Sequence, residues 1–261
     1  MSDARLVLLE RAGHAAWLTL NRPEARNALS LPALRQLRDH CAALAADPDV
    51  WVVGITGAGD RAFCAGADLK ERRGFSAAQV QEFVVQIRGA MDDVASLPQP
   101  VVAAINGACL GGGCELALAC DLRVMDETAE IGLTETSLAI IPGAGGCVRL
   151  PRLVGAARAK ELILLARRLG AAEARASGLV NFTAPAGGAR AEAEHVLEAL
   201  LKNGPLALRA AKAAVDGGLD LPVKAALEHE YACYQRIVPT QDRLEALAAF
   251  AEKRAPRFQG R

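Results

Sequence analysis

The chain contains 261 residues, and its 30 lysine and arginine residues are balanced by 30 aspartate and glutamate residues. Because a nucleic-acid backbone is bound mainly through an excess of positive charge, this balance argues against nucleic acid as the main partner. Hydrophobic residues make up 52% of the chain. That share excludes a disordered chain and permits one large core, or a core with a helical appendage.

The sequence shows no pattern typical of a membrane span or a secretion signal. Its most apolar window, residues 101–122, is interrupted by Asn106, Glu115 and Asp121, whereas a spanning helix requires about 20 uninterrupted apolar residues. The N-terminus reads MSDARLVLLE, with an acid where a signal peptide carries basic residues. We therefore expect a cytoplasmic protein without a membrane partner.

The seven cysteines and four histidines show no spacing typical of a metal site. There is no CxxC pair and no HExxH motif. We expect most cysteines to be reduced, buried side chains, and we expect no metal ion.

The first part of the chain alternates strands, glycine-rich loops and helices. Residues 6–20 are expected to form two short strands, and a helix over 30–46 is capped by its first residue, a serine. The apolar runs at 51–56 and 101–105 each predict a buried strand that ends in glycines. A third unit follows from Asp121, so the recurrence fits a spiral of strand-strand-helix turns.

The remaining predicted elements are mostly helices. Ser76 and Gln79 form a capping box for a helix that ends before Pro98, and a short helix is expected over 112–120. We place a domain boundary near residue 190, which divides 1–190 from 191–261. Further helices are expected over 145–154, 157–165, 171–177, 188–203, 205–216, 221–237 and 241–254, with a lone strand over 179–182.

The motif GAGDRA at residues 57–62 superficially matches a dinucleotide-binding turn. Such a turn requires a helix that starts inside the motif, and residues 63–66 instead predict an extended chain. The match is therefore weak.

Two glutamates stand among small and apolar residues, where an isolated carboxylate is costly to bury. Glu115 follows a run of three glycines that opens the helix at 112–120, and Glu135 precedes the glycine turn IPGAGG. A structural interpretation remains open for each: Glu115 can interact with its own helix terminus, and Glu135 can be a solvated loop acid. As a pair, they suit proton transfer to and from a water that adds to an activated double bond.

These motifs resemble the enoyl-CoA hydratase/isomerase, or crotonase, family. The similar segments span nearly the whole chain: NRPEARNAL, AFCAGADLKE, PVVAAINGACLGGGCELALACD, IPGAGG and AFAEKRAPRFQGR. The resemblance implies an α/β fold, a crotonase-like spiral of ββα turns with a C-terminal helical region, and protomers that form homotrimers or hexamers. It also implies an acyl-CoA thioester substrate and no cofactor apart from the coenzyme A within that substrate.

The resemblance further assigns roles to individual residues. It implies that the backbone N–H groups of Ala67 and Gly112 form an oxyanion hole, that Glu115 and Glu135 are the acid/base pair, and that Gly143 lies beside the catalytic water. The residues expected to contact coenzyme A are Ala25, Arg26, Ala28, Ala65, Asp68, Leu69 and Lys70, together with Phe250 and Lys253 from a neighbouring protomer.

Because isomerases of the family often lack one of the two glutamates, the resemblance implies syn hydration of a 2-enoyl-CoA to a 3-hydroxyacyl-CoA. The segments CAGADLKER, GLTET and LAIIPGAGG are most similar to methylglutaconyl-CoA hydratases of leucine breakdown, which form 3-hydroxy-3-methylglutaryl-CoA. Residues 147–149 depart from the usual Thr-Gln-Arg, and loop 72–78 is expected in the pocket wall, so the acyl group stays open.

Two alternatives remain: an enoyl-CoA isomerase on the same scaffold, and a non-catalytic module that binds coenzyme A or RNA. The early helix carries only Arg35 and Arg38 as positive residues, so we expect no RNA affinity.

Overall fold

The computed structural model describes residues 5–261, in which short strands alternate with helices before a helical C-terminal part. The strands are β1 (Val7–Ala12), β2 (Ala15–Leu20), β3 (Val52–Gly57), β4 (Ala62–Cys64), β5 (Val101–Ile105), β6 (Ala108–Leu110), β7 (Leu122–Asp126), β8 (Glu130–Gly132), β9 (Leu169–Gly170) and β10 (Phe182–Ala184). The helices are α1 (Leu31–Ala45), α2 (Leu69–Arg72), α3 (Ala77–Ala95), α4 (Gly112–Ala119), α5 (Gly146–Val154), α6 (Ala156–Leu164), α7 (Ala171–Ala176), α8 (Ala189–Leu201), α9 (Pro205–Gly218), α10 (Val223–Gln235) and α11 (Gln241–Ala251).

The strands form two sheets, and from β3 to β8 successive strands belong alternately to the larger and the smaller sheet. The larger sheet has the order β1-β2-β3-β5-β7-β10 and the smaller has the order β4-β6-β8-β9. In the larger sheet β3, β5 and β7 are parallel neighbours, and in the smaller sheet β4, β6 and β8 are. Each turn of the chain thus adds one strand to each sheet and then a helix. The predicted spiral, including the unit after Asp121, is confirmed.

The helices begin where their capping residues predict. The Ser30 hydroxyl accepts a hydrogen bond from the N–H of Ala33 at the start of α1. Ser76 and Gln79 form the predicted capping box of α3, since each side chain accepts from the backbone N–H of the other. α1 and α3 pack together because their apolar residues, at a spacing of three to four, place one buried stripe on each helix.

The prediction of a lone strand over 179–182 is wrong in two respects: the strand lies at a different position, and it is paired with a neighbour. The structure has a strand at Phe182–Ala184, and it pairs in parallel with β7. Leu179 and Val180 are buried, but in a turn whose N–H groups both donate to the C=O of Ala174. Their hydrophobicity therefore reflects packing and not strand pairing.

Three predicted helices in the C-terminal part are shorter than expected. The helix predicted over 188–203 spans Ala189–Leu201. α10 begins after Pro222, because the ring of a proline disfavours helical backbone at the residue before it. α11 ends at Ala251, and Lys253 has a left-handed backbone with φ of 54°.

The C-terminal helices are attached to the spiral at defined contacts. Ala193 and Leu197 of α8 pack with Trp17 and other residues of the larger sheet. Lys212 of α9 donates to Oδ2 of Asp121 at 2.8 Å. A division into 1–190 and 191–261 stays a prediction. Within residues 5–261, no helix is both long enough and apolar enough to cross a membrane.

Candidate active site

Two loops that precede α1 and α2 are joined by backbone hydrogen bonds. The C=O of Arg26 accepts from the N–H of Ala65 at 3.0 Å, and the C=O of Leu29 accepts from the N–H of Asp68 at 2.9 Å. This pairing brings together most of the predicted coenzyme A contacts of the two loops, namely Ala25, Arg26, Ala28, Ala65 and Asp68.

The buried side chain of Asn27 holds this junction together. Its amide nitrogen donates to the C=O groups of Ala58 and Ala62, and its amide oxygen accepts from the N–H of Arg22. These bonds hold Asn27 itself in a left-handed conformation, with φ of 56°. The segment 57–62 leads into β4 and not into a helix, as expected for a chain without a dinucleotide-binding turn.

The N–H groups of Ala67 and Gly112 lie side by side and are free to bind a ligand. Ala67 forms a parallel bridge with Leu29 that uses the C=O of Gly66 and the N–H of Asp68, so the N–H of Ala67 points to the other side. Gly112 is the first residue of α4, where N–H groups have no partner within the helix. A Cβ atom built on Gly112 would lie 3.5 Å from the nitrogen of Ala67.

Glu115 lies on α4 with 3% of its surface exposed. Its Oε1 accepts hydrogen bonds from the N–H groups of Ala144 at 2.7 Å and of Gly146 at 2.9 Å. Burial raises the pKa of Glu115 above its ordinary value, although these two bonds and the charge of Arg149 oppose the rise. Both donors reach the same oxygen, so Oε2 is left for a ligand. Gly143, which precedes Ala144, therefore adjoins this carboxylate.

Glu135 begins a 3-10 turn over Glu135–Leu138 and is 8% exposed. Its Oε2 is buried without a hydrogen-bond partner. Burial and the nearby charge of Glu115 raise the pKa of Glu135 to about 7. A Cβ atom on Gly111 would lie 3.4 Å from Oε1 of Glu135, which places this carboxylate beside Gly111, the residue that precedes Gly112. Neither glutamate is a solvated surface acid.

We expect Glu135→Gln to stabilise the protein at alkaline pH. In the unfolded chain the pKa of Glu135 is near 4.5, whereas it is about 7 in the folded protein. Between these values the folded protein keeps a proton that the unfolded chain releases, so the stability due to this group falls as pH rises through that window. The neutral glutamine avoids this loss, and we expect a gain of about 1–3 kcal/mol near pH ~8 and a smaller one near pH ~5.

Thermal unfolding at both pH values measures this difference. The matched control is Glu130→Gln, because Glu130 is an exposed glutamate on the neighbouring strand β8. Equal melting temperatures for wild type and Glu135→Gln near pH ~8 would contradict the raised pKa.

Of the predicted coenzyme A contacts around α2, Asp68 is buried, whereas Leu69 and Lys70 are exposed. The buried carboxylate of Asp68 binds Arg22 at 2.9 Å and accepts from the N–H groups of Lys70 and Glu71. Although burial acts in the other direction, these bonds and the charge of Arg22 lower the pKa of Asp68. Asp68 is thus an ionised cap of α2. Leu69 is 55% exposed and Lys70 is also exposed, so both can contact a ligand at the rim.

Phe250 and Lys253 are not joined to these loops by any described contact. Phe250 is 86% exposed on α11, and Lys253 follows the end of that helix. α11 is held by the C-terminal tail, since the carboxylate of Asp242 accepts from the N–H groups of Gln259 and Gly260. A contact from Phe250 and Lys253 to a neighbouring protomer stays a prediction.

The structure adds residues of α3 to the site that the sequence analysis missed. A Cβ atom on Gly143 would lie 3.4 Å from Cγ1 of Val84, and one on Gly112 would lie 3.0 Å from Cδ1 of Ile87. Val84 and Ile87 are three residues apart and share one face of the helix. That apolar face therefore covers both glycine loops. The apolar stripe was visible in the sequence, but nothing there distinguished residues that line a site from residues of the core.

Two free N–H groups, flanked by two buried carboxylates and covered by an apolar helix face, define a class of site. Such a site can bind a carbonyl oxygen that gains negative charge, while the carboxylates exchange protons with neighbouring carbon or water. It has the parts expected for acid/base chemistry next to a carbonyl group.

Comparisons with known proteins agree with this class. Residues 10–261 match the family described as Enoyl-CoA hydratase/isomerase. An enoyl-CoA hydratase/isomerase of Bacillus subtilis (strain 168), YngF, is 48% identical over 260 residues, which cover 100% of both chains. The human mitochondrial methylglutaconyl-CoA hydratase is 45% identical over 247 residues, which cover 93% of this chain and 73% of the relative.

The solved structures extend this agreement to the fold. An enoyl-CoA hydratase from Bacillus anthracis superimposes with a TM-score of 0.96 and 47% identity, covering 98% of this chain and 100% of the other. The chain belongs to the enoyl-CoA hydratase/isomerase family. The crotonase-like α/β spiral implied by the resemblance is confirmed.

Proposed function

We propose that the protein is an enoyl-CoA hydratase that adds water syn across the double bond of a 2-enoyl-CoA. The observation that carries this proposal is the pair of buried glutamates, close enough for their charges to interact, next to the loop that carries the N–H of Gly112. An isomerase needs to move a proton between carbons and can use one carboxylate, whereas hydration needs one group to take a proton from water and another to protonate carbon.

The environments of the two glutamates suggest how the roles divide. Glu115 accepts two backbone hydrogen bonds, which favour its ionised form, so it takes a proton from the attacking water. The hydroxide adds to C3, and the N–H groups of Ala67 and Gly112 stabilise the resulting enolate oxygen. Glu135, whose pKa is about 7, holds a proton near neutral pH and delivers it to C2. After this step Glu115 carries the proton taken from water and Glu135 is ionised. One proton then passes from Glu115 to Glu135 before the next turnover, so the net change is the addition of one water to the double bond.

Ultraviolet absorbance of crotonyl-CoA tests this proposal directly. Hydration removes the conjugated double bond, so its absorbance is expected to decrease as 3-hydroxybutyryl-CoA forms. With a β,γ-unsaturated thioester, an increase in conjugated absorbance without later loss would instead identify an isomerase. Tight binding of coenzyme A thioesters without turnover would identify a non-catalytic module and overturn the proposal.

We further propose 3-methylglutaconyl-CoA, whose acyl chain ends in a carboxylate, as the substrate. Arg72 at the end of α2 has a buried Nε–H without a hydrogen-bond partner. Its guanidinium lies 5.3 Å from the ring centroid of Phe83, which precedes Val84 on the helix that covers the site. A carboxylate bound there would satisfy this donor.

Arg72→Gln is therefore expected to lower kcat/KM for a glutaconyl-type thioester by about 10–100-fold, since hydrogen bonds to charged groups contribute about 1.5–3 kcal/mol. The value for crotonyl-CoA, which lacks the second carboxylate, is expected to change less than roughly threefold. Arg73→Gln is the matched control, because Arg73 is an exposed neighbour. Equal losses on both thioesters would exclude a role for Arg72 in recognising the acyl carboxylate.

The backbone and side chains around the two joined loops support the proposed coenzyme A contacts. Leu69 and Lys70 are exposed at the start of α2, and Lys70 offers positive charge to phosphate groups. Inhibition by free coenzyme A in competition with the thioester substrate measures this contact. Lys70→Ala is expected to weaken that inhibition. Unchanged inhibition by coenzyme A would argue against Lys70.

We also propose a homotrimer, or a hexamer of two trimers, built through the C-terminal helices. Apolar side chains that a partner could cover are exposed on these helices, including Val215, Leu219, Val223, Leu227, Tyr231, Leu244, Leu247 and Phe250. Sedimentation equilibrium distinguishes these states from a monomer, which would contradict the proposal.

We propose a cytoplasmic location, which fractionation of the source cells tests; the human relative is described as mitochondrial.

A further inference from the structure

The side chain of Arg149 connects the glycine turn that binds Glu115 to helix α3. Its Nη1 donates to the C=O of Ala144 at 3.0 Å, and its Nη2 donates to Oδ1 of Asp92 at 2.7 Å. The N–H of the same Ala144 donates to Oε1 of Glu115. One residue of the turn is therefore held on one side by Arg149 and on the other side binds the carboxylate.

The turn is built around this guanidinium. Gly145 has φ of 109°, and a Cβ atom at this position would lie 2.1 Å from Nη1 of Arg149. The guanidinium therefore occupies the space that any side chain at residue 145 would need. The Arg149 side chain is 21% exposed, so the contact is formed mainly inside the protein.

The charge of Arg149 also acts on Glu115. It lowers the pKa of Glu115, against the rise caused by burial and alongside the N–H groups of Gly146 and Ala144. The other ionisable groups near this assembly lie on each element packed against it: Cys114 on α4, Glu135 on its 3-10 turn, Cys147 on α5, and Asp92 and Arg88 on α3.

We propose that Arg149 is a positioning residue for the reaction: it fixes the turn over 143–146 so that two N–H groups converge on Oε1 of Glu115 and Oε2 faces the attacking water. The inference rests on the proposed hydratase function. Arg149 itself does not touch the reacting atoms, since its donors are directed to Ala144 and Asp92. Its effect is to keep the base in one orientation and in its ionised form.

Arg149→Gln removes both the charge and the forked contact. We expect kcat for crotonyl-CoA to fall about 10–100-fold, because a displacement of about 1 Å at a catalytic group can cost this much. KM is expected to change less than roughly threefold, since no coenzyme A contact is lost. The acidic limb of the pH profile of kcat is expected to move to higher pH, because Glu115 loses a neighbouring cation.

Arg149→Lys separates charge from geometry. Lysine keeps the positive charge but cannot bind Ala144 and Asp92 with one planar fork. We expect the acidic limb to stay near its wild-type position while kcat still falls. Arg152→Gln is the matched control on the same helix, because Arg152 binds Val148 and Asp220 at the surface. It is expected to leave kcat and the pH profile unchanged.

Three results would overturn the inference: wild-type kcat in Arg149→Gln, an unmoved acidic limb in that variant, or the same loss in Arg152→Gln. A loss of melting temperature with an unmoved limb would identify a purely structural residue. Carboxyl ¹³C NMR titration of Glu115 in wild type and Arg149→Gln reads the pKa without turnover. If wild type fails to hydrate crotonyl-CoA, the proposed function fails, while this titration still decides whether Arg149 controls Glu115.

Discussion

Glu115→Gln and Glu135→Gln are each expected to lower kcat for hydration of crotonyl-CoA by about 10²–10⁴-fold, the usual contribution of one general acid or base. Glutamine preserves the shape of each side chain. It can still accept hydrogen bonds, so the contact of residue 115 with Ala144 and Gly146 is largely kept. It can neither accept a proton from water nor deliver one to carbon, and the chemical step is lost while the thioester still binds.

The measurements separate chemistry from binding. Steady-state absorbance assays give kcat, and calorimetric titration with crotonyl-CoA gives the affinity, which is expected to change by less than about tenfold. The double variant is expected to lose little more than the slower single variant, because we propose that the two groups act on one water. Glu130→Gln is the control for a neighbouring carboxylate at the surface. Near wild-type turnover in either single variant would exclude the role assigned to that glutamate.

The stability of Glu135→Gln links this activity to the fold. The substitution is expected to remove activity and also to relieve the cost of a buried carboxylate whose Oε2 has no partner. Activity and stability would then change in opposite directions at one residue. This is the pattern expected for a group that is retained for chemistry and not for folding.

Signals that act within one element were visible in the sequence. Ser30, Ser76 and Gln79 predicted helix starts, because a cap depends on hydrogen bonds to residues only three positions away. The buried strands β3 and β5 were predicted from continuous apolar runs. The two glutamates were identified from their apolar surroundings, which reflect burial directly.

Features that depend on distant partners were not visible. Strands β4, β6 and β8 contain three residues each, too few to show a periodic pattern, and they exist because a neighbouring turn of the spiral pairs with them. The side chain of Asn27 donates hydrogen bonds to C=O groups that lie 31 and 35 residues away in the sequence. Arg149 reaches Asp92 across 57 residues. No local pattern distinguishes these side chains from other polar residues in loops and helices.

Gly113→Ala is expected to lower both stability and activity, although alanine is the better residue for a helix. A Cβ atom on Gly113 would lie 2.1 Å from the C=O oxygen of Cys64, which is backbone and cannot rotate away. The gain in helix propensity is about 1 kcal/mol. Relief of the overlap requires α4 to move away from β4, and overpacking of this kind costs about 1–3 kcal/mol, more where backbone resists.

That movement would also disturb the N–H pair that we propose binds the oxyanion. Gly112 precedes the substituted residue on α4, whereas Ala67 follows Cys64 on the segment that leaves β4. The distance between the two donors would therefore increase, and a displacement of roughly 1 Å is enough to affect catalysis. Loss of one donor typically costs about 10²–10³ in kcat. Thermal unfolding and the crotonyl-CoA assay together measure both effects, with circular dichroism as the check that the variant is folded.

Gly170→Ala provides the matched comparison. Gly170 precedes α7 with φ of −74°, and a Cβ atom there would meet nothing within 4 Å. We expect this variant to keep wild-type activity and stability, because the added methyl group enters open space. Wild-type kcat in Gly113→Ala would show that α4 can shift without separating the N–H groups of Gly112 and Ala67.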